Sequence, residues 1–409
     1  MRRPSPWVIL VVVLLGTLLL REPRLRRVDD VFLSWFLEHS EAQFPPSPVT
    51  LVEITRQDFR TLPVLAATGS EVEKTARKKT LHRAVSPLEY ALFLQAAMDF
   101  QPAVIALEPI VIWRDRDKDQ EQVFIDQAMR VPKLLVAMEL GEKGPRDVPS
   151  DDLLSFSQVT GARGGLAEFP GISHRPDDDI RLISTAGFTN LPADRSDRVR
   201  VPMLFEYRGE VVPSFPLQAI LLWLRSTPGE IRIELGKQIL LPNGWKIPIH
   251  PDGTATINPV AAGSVRRLTL NQLLLAAQEH EAHREPTIDL ANLKDQIVLL
   301  RIADDPLQPP NVFATAIATI QQNAYVGRVS TIYDWAIVAV AAIFACFLRV
   351  IAKTSLVMIA ILLSAGYSLF VLTVLSENHL WLPTFLPLAL LWFLVLVRLI
   401  VPQPGKPTS

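Results

Sequence analysis

Three apolar runs at the C-terminal end constrain this chain more than any other feature. They span Tyr333 to Leu348, Thr354 to Leu375 and Leu380 to Val401, each near the roughly 20 residues a helix needs to cross a hydrocarbon core. From residue 330 onward the fixed charges are Asp334, Arg349, Lys353, Glu377, Arg398 and Lys406. Tyr333, Trp335 and Trp381 fall close to the expected interfaces, where amphipathic aromatic rings settle; Trp392 adds a fourth aromatic within a run. The turn after the first run carries Arg349 and Lys353, the next turn carries no Lys or Arg, and the tail carries Arg398 and Lys406. The positive-inside rule therefore predicts a cytoplasmic first turn and tail. The chain then enters this cluster from outside.

At the other end, Trp7 to Leu20 is uncharged and follows Arg2 and Arg3. It is short for a span and resembles the core of a signal peptide. No small-x-small cleavage site precedes Arg21, which favours an uncleaved anchor, while Arg21, Arg24, Arg26 and Arg27 behind it oppose export under the same charge rule. The expected organisation is a cytoplasmic N-terminus at 1–6, an anchor at 7–20, an extracytoplasmic domain at 21–330, three membrane helices at 331–401 and a cytoplasmic tail at 402–409.

Residues 21–330 hold 35 Lys and Arg against 40 Asp and Glu, about five negative charges, which gives no basic footprint for nucleic acid. The single cysteine, Cys346, lies in an apolar run, so the domain has no disulfide and relies on its core. Between Val49 and Met138 the segments VTLVEI, SPLEYALFLQAAMDF, AVIAL, DQEQVFIDQAMR and KLLVAM alternate buried-strand runs with helical patterns. This is the order of a parallel sheet with covering helices. Ser86, Pro87 and Glu89 form a capping-box start. The basic insert EVEKTARKKTLHR reads as a surface loop, and Asn243-Gly244 between ILLP and WKIPI as a two-residue hairpin turn. RVPMLFEY, FPLQAILLWLR, TATINP, LTLNQLLLAAQEHE, QIVLLRI and FATAIATIQQNAY complete a mixed, largely parallel α/β sheet flanked by helices.

No phosphate-loop or nucleophile-elbow motif occurs, and Gly161 to Gly165 reads as a turn. His280 and His283 at a helix end lack a complete zinc motif, and Asp177, Asp178 and Asp179 lack the spacing of a calcium loop; solvated surface is the better reading of both. No metal or cofactor is expected. The candidate ligand-binding residues are polar groups at strand ends, where ligands of open α/β sheets sit. Thr55 and Asp58 follow VTLVEI, Glu108 follows AVIAL, and Asp304, with Asp305 beside it, follows QIVLLRI. Whether they converge depends on strand order, and ordinary loop capping is the alternative.

Two segments and their arrangement resemble the CHASE-2 sensory domain family. Gly187 to Ile220 (GFTNLPADRSDRVRVPMLFEYRGEVVPSFPLQAI) is similar to its glycine-led strand, its aspartate with a following arginine, and its Pro-Ser ahead of an apolar helix. Leu293 to Arg328 resembles its closing strand, loop and helix, and one anchor, an outer domain and three membrane helices match its architecture over about residues 28–401. Two positions depart: KKTLHRAVSP stands where the family has a Trp-Pro-Trp-Pro-Arg-like segment, and Thr55 where it has an acid after the first strand. Glu108 supplies the acid usual after the second.

The resemblance implies a non-enzymatic membrane sensor or receptor-like module in a bacterial inner membrane, binding an extracytoplasmic ligand or protein. Only PQPGKPTS follows the last run, so output is expected to pass to a separate membrane or cytoplasmic signalling partner, with oligomeric state open. The alternatives are a structural or assembly subunit of an envelope complex and, third, an envelope enzyme using the strand-end acids.

Overall fold

The computed structural model describes residues 6–21, 23–38, 44–55, 85–113, 117–142, 153–192, 200–303, 311–329, 331–347, 353–378 and 380–400. Two compact units divide the chain, one spanning Gln43–Tyr325 and one made of both chain ends, Met1–Ala42 with Val326–Ser409. Residues 21–42, assigned to the domain from sequence, fall with the chain ends.

The larger unit opens with β1 (Val49–Ile54), α1 (Pro87–Met98), β2 (Val104–Leu107), α2 (Lys118–Ala128) and β3 (Leu134–Gly141), in the order the sequence predicts. An excursion of short elements follows: β4 (Gln158–Thr160), β5 (Glu168–Phe169), β6 (Gly171–His174), α3 (Asp178–Leu182), β7 (Thr185–Phe188), β8 (Arg200–Pro202), β9 (Leu204–Tyr207) and β10 (Glu210–Pro213). Then come α4 (Phe215–Trp223), β11 (Arg232–Glu234), β12 (Gln238–Leu240), β13 (Lys246–Pro248), β14 (Thr254–Thr256), β15 (Arg266–Thr269), α5 (Leu270–Glu281), β16 (Ile297–Ile302) and α6 (Val312–Gln321).

The main sheet runs β15-β1-β16-β2-β3-β6, with β7 also paired to β3. All its pairings are parallel except β3 with β6. Helices cover both faces, so its strands read as unbroken apolar runs rather than alternating ones. Leu51, Ala106, Leu135 and Leu299 point to one core, with Leu217 and Ile220 of α4 and Phe313 and Ile317 of α6. Val52, Leu107, Val136 and Leu300 point to the other, with Phe93 and Leu94 of α1, Phe124 of α2 and Leu273 of α5. α1 starts at the predicted capping box: Ser86 accepts from the Glu89 amide, and the Glu89 carboxylate from the Ser86 amide at 2.6 Å.

The hairpin between β12 and β13 differs from the two-residue turn expected. Leu241 and Trp245 are paired and the Gly244 amide donates to the Leu241 carbonyl at 3.0 Å, which leaves a three-residue loop over Pro242, Asn243 and Gly244. Gly244 alone has positive φ, at 85°. Pro242 sets the first bend of a type I turn and Gly244 takes the left-handed position after it, so the proline decides the turn type.

The two segments by which the chain leaves this domain are tied together. Ser47 Oγ donates to Gln321 Oε1 at 2.8 Å, Gln321 Nε2 to the Pro48 carbonyl at 3.2 Å, and Gln322 Nε2 to the Pro45 carbonyl at 2.7 Å. Ser47 and Gln321 are buried, which strengthens such bonds and makes their loss expensive. Burial also pushes the Tyr325 phenol well above its ordinary value, so this last domain residue stays neutral.

The smaller unit contains the helices Pro6–Arg21, Pro23–Glu38, Thr331–Phe347, Lys353–Asn378 and Phe385–Ile400. Pro23–Glu38 was not expected as a helix. Its buried residues Leu33, Phe36 and Leu37 lie three and four apart, the spacing of one helical face. The last helix begins five residues later than the apolar run: Leu380 and Trp381 are extended and pair with Gly327 and Arg328, and Pro383 disfavours helix at the residue before it. Gly16 lets the first helix approach Thr331–Phe347, since a Cβ there would lie 2.8 Å from Val338 Cγ2. Among the described residues one helix, over Thr354–Glu377, is long and apolar enough to cross a membrane.

Candidate functional site

The carboxyl ends of the three adjacent strands β1, β16 and β2 carry a row of charge. Glu53 and Arg301 are register partners, and Glu108 follows Leu107, the partner of Leu300. Parallel register therefore sets Glu53, Arg301 and Glu108 side by side on the face covered by α4 and α6. Arg301 and Glu108 are 3% and 2% exposed, which for ionic side chains is uncommon without a partner.

The Arg301 guanidinium is only partly hydrogen-bonded. Arg301 Nε lies 4.0 Å from Glu108 Oε1 and Nη1 lies 3.8 Å from Glu53 Oε1, close enough for Coulomb attraction and too far for a hydrogen bond. Nη1 instead donates to Asn311 Oδ1 at 2.7 Å. Asn311 is the residue before α6 and sits in the left-handed region at φ 61°, a conformation asparagine tolerates. Its carbonyl accepts from the Thr315 amide while its side chain turns away from the helix it precedes, toward the guanidinium. Arg301 Nε makes no hydrogen bond. A buried donor without a hydrogen bond is rare in native proteins.

Of the residues the sequence singles out, Glu108 is in this row. Thr55 directly follows β1, two residues past Glu53 and half-buried, while Asp58 and Asp304 lie outside the described residues. Sequence reasoning missed Glu53, Arg301 and Asn311. The available signal was Arg301 itself, a lone charge inside the apolar run QIVLLRI. The other motifs behave as surface. His280 and His283 are exposed, with the His280 ring against Phe100, and Asp178 pairs with Arg181 at 2.9 Å in α3. No group of three metal-ligating side chains occurs among the described residues. The basic insert lies outside them.

The class these features define is an α/β domain with a row of charged side chains at its parallel strand ends, in a chain whose two ends are apolar. The chain belongs to the CHASE2 domain family, whose model matches residues 8–350, from the first helix through the domain and past the end of Thr331–Phe347. CHASE2 domains are extracellular sensory domains. Neither a curated protein nor a solved structure matches the chain.

Proposed function

We propose that this protein is a non-enzymatic membrane sensor, anchored by its first helix and by three C-terminal helices, whose domain stands outside the cytoplasm and signals to a separate partner. The observation that carries the reading is the match of the chain, from its first helix through the domain, to a sensory-domain family, with a buried Arg301 whose Nε makes no hydrogen bond at the domain's parallel strand ends. Membrane passage by the shorter helices is supported by their outward apolar side chains. Leu14, Val340 and Leu396, like Leu362 and Leu369 of the long helix, are more than half exposed, a surface that water disfavours and lipid accepts. The alternation of Lys and Arg in the connecting turns supports the orientation.

A ligand moves such a system only by binding one of its two states better than the other. The testing experiment is crosslinking in native membranes, followed by identification of the captured chain. A discrete partner whose yield changes on Glu53→Gln supports transmission; a constitutive stoichiometric complex indifferent to that change supports an assembly subunit. Single cysteines in the domain of a Cys346→Ala background, probed with a membrane-impermeant thiol reagent in intact cells, test the topology. Labelling is expected; protection of every one would place the domain in the cytoplasm.

A further inference from the structure

We propose that the Pro23–Glu38 helix docks on the lipid surface of the extracytoplasmic leaflet, its Val28, Val31 and Trp35 face at the boundary between headgroups and acyl chains and its arginine-rich start among the phosphates. This goes beyond the sensor reading, which gives that helix no role, and rests on it for the membrane passage of the chain ends. The helix has two apolar faces. Leu33, Phe36 and Leu37 are buried. Val28, Val31 and Trp35 recur three and four residues apart and are 37%, 66% and 53% exposed. At about 100° per residue these three positions fall within about 60° of one another, on the side roughly opposite Leu33, Phe36 and Leu37. A helix that faces water keeps polar groups on the side away from its core. An apolar stripe with a tryptophan on that side fits a lipid interface, where one face of a helix is wet and the other is not.

The level of the helix follows from lengths and bonds within its own unit. Pro6–Arg21 has 16 residues, about 24 Å at a rise of 1.5 Å, which is short of the roughly 30 Å hydrocarbon core. The next helix, starting at Pro23, therefore begins at the outer boundary and not above it. Asp29 accepts from the amides of Thr384 and Phe385, where the last helix starts, and in the proposed orientation that end is the outer one. Trp381 Nε1 donates to Asp29, and the Trp381 ring lies 5.6 Å from that of Phe36. Asp29 and Phe36 thus meet one indole from positions two turns apart, which holds the stretch with Val28, Val31 and Trp35 at the level where the last helix enters. Charge then selects the occupant. Arg21, Arg24, Arg26 and Arg27 fall within seven residues at the start of this helix. A protein groove that took the apolar stripe would also have to neutralise these arginines, whereas a layer of headgroup phosphates does so without a specific fit. Phosphates at that level also give a place to arginines that stand on the far side of an anchor, against the charge rule.

The test is the depth of nitroxide labels on the full chain in nanodiscs of mixed phosphatidylcholine and phosphatidylglycerol. Single cysteines Val28→Cys, Val31→Cys and Trp35→Cys are placed in a Cys346→Ala background, and their collision rates with oxygen and with a water-soluble nickel chelate are measured. Leu362→Cys, on the long apolar helix, is the deep reference and Leu182→Cys, 85% exposed on α3, the water reference. All five positions are exposed, so the labels leave the packing intact, which the unfolding temperature verifies. The three helix labels are expected to meet oxygen more than nickel and to lie about 5–10 Å inside the headgroup boundary, between the two references. Labels as open to nickel as Leu182→Cys, with Leu362→Cys deep, overturn the inference and leave the membrane anchoring in place. Labels shielded from both reagents also overturn it, since protein then covers the face; spin–spin broadening that vanishes on dilution with unlabelled chain would identify that protein as a second copy. Leu362→Cys itself in water removes the membrane reading, and the inference with it.

Discussion

Two charged residues, the half-buried Asp29 in one unit and the buried Arg301 in the other, are bonded in opposite ways. Asp29, on the Pro23–Glu38 helix, has both oxygens filled: Oδ2 accepts from Trp381 Nε1 at 2.8 Å, and Oδ1 from the amides of Thr384 and Phe385 at 2.9 and 3.3 Å. Those amides open the last helix, so a carboxylate from the first forty residues caps a helix that begins some 350 residues later. Phe36, two turns on, places its ring 5.6 Å from that of Trp381. Arg301 has one nitrogen held by Asn311, another without any bond, and two carboxylates just out of reach. The first arrangement is a finished joint that fixes geometry. The second leaves one buried guanidinium nitrogen without a hydrogen bond, a feature that calls for an explanation where the first does not.

The contrast is broken most forcefully at Arg301. Arg301→Leu removes a buried charge that lies 4.0 Å from Glu108 and 3.8 Å from Glu53 and is expected to destabilise the domain by about 3–5 kcal/mol in denaturant unfolding of the full chain. The double change Arg301→Leu with Glu108→Leu should recover most of that loss; a double variant as unstable as the single would mean that the row is held by packing and not by charge. Gln321→Leu comes next, since it removes the partner of the Ser47 hydroxyl and of the Pro48 carbonyl in a buried place, and is expected to cost about 2 kcal/mol with faster exchange of the Ser47 amide. Asp29→Ala is expected to cost about 1–2 kcal/mol locally, read as roughly 5- to 30-fold faster exchange of the Thr384 and Phe385 amides. Unchanged exchange there would demote the joint to a passive contact. Asp178→Ala, at an exposed pair in α3, should stay within about 0.5 kcal/mol of the parent and calibrates the other three.

How much of this was legible depends on whether a feature is local. VTLVEI, AVIAL, KLLVAM and QIVLLRI announce themselves because strands buried on both faces have no polar period to hide in, and the Ser86 to Glu89 capping box is complete within four residues. Glu108 was readable because it ends such a run. Its partners were not: Glu53 and Arg301 lie 248 residues apart and meet only through the register of β1 with β16. The Asn243-Gly244 turn misled because the dipeptide was read without Pro242 ahead of it. Asp29 as a helix cap could not be read at all, since nothing near it in sequence resembles the helix it serves.

The tie among Pro45, Ser47, Pro48, Gln321 and Gln322 has an architectural consequence. It brings the two ends of the Gln43–Tyr325 unit side by side, while the unit that holds the rest of the chain is assembled from both termini. In chain order the domain is an insert between the two segments that make up the helical unit. Inserts with adjacent ends can be grafted between hosts, or exchanged for another domain, without rerouting the helices around them.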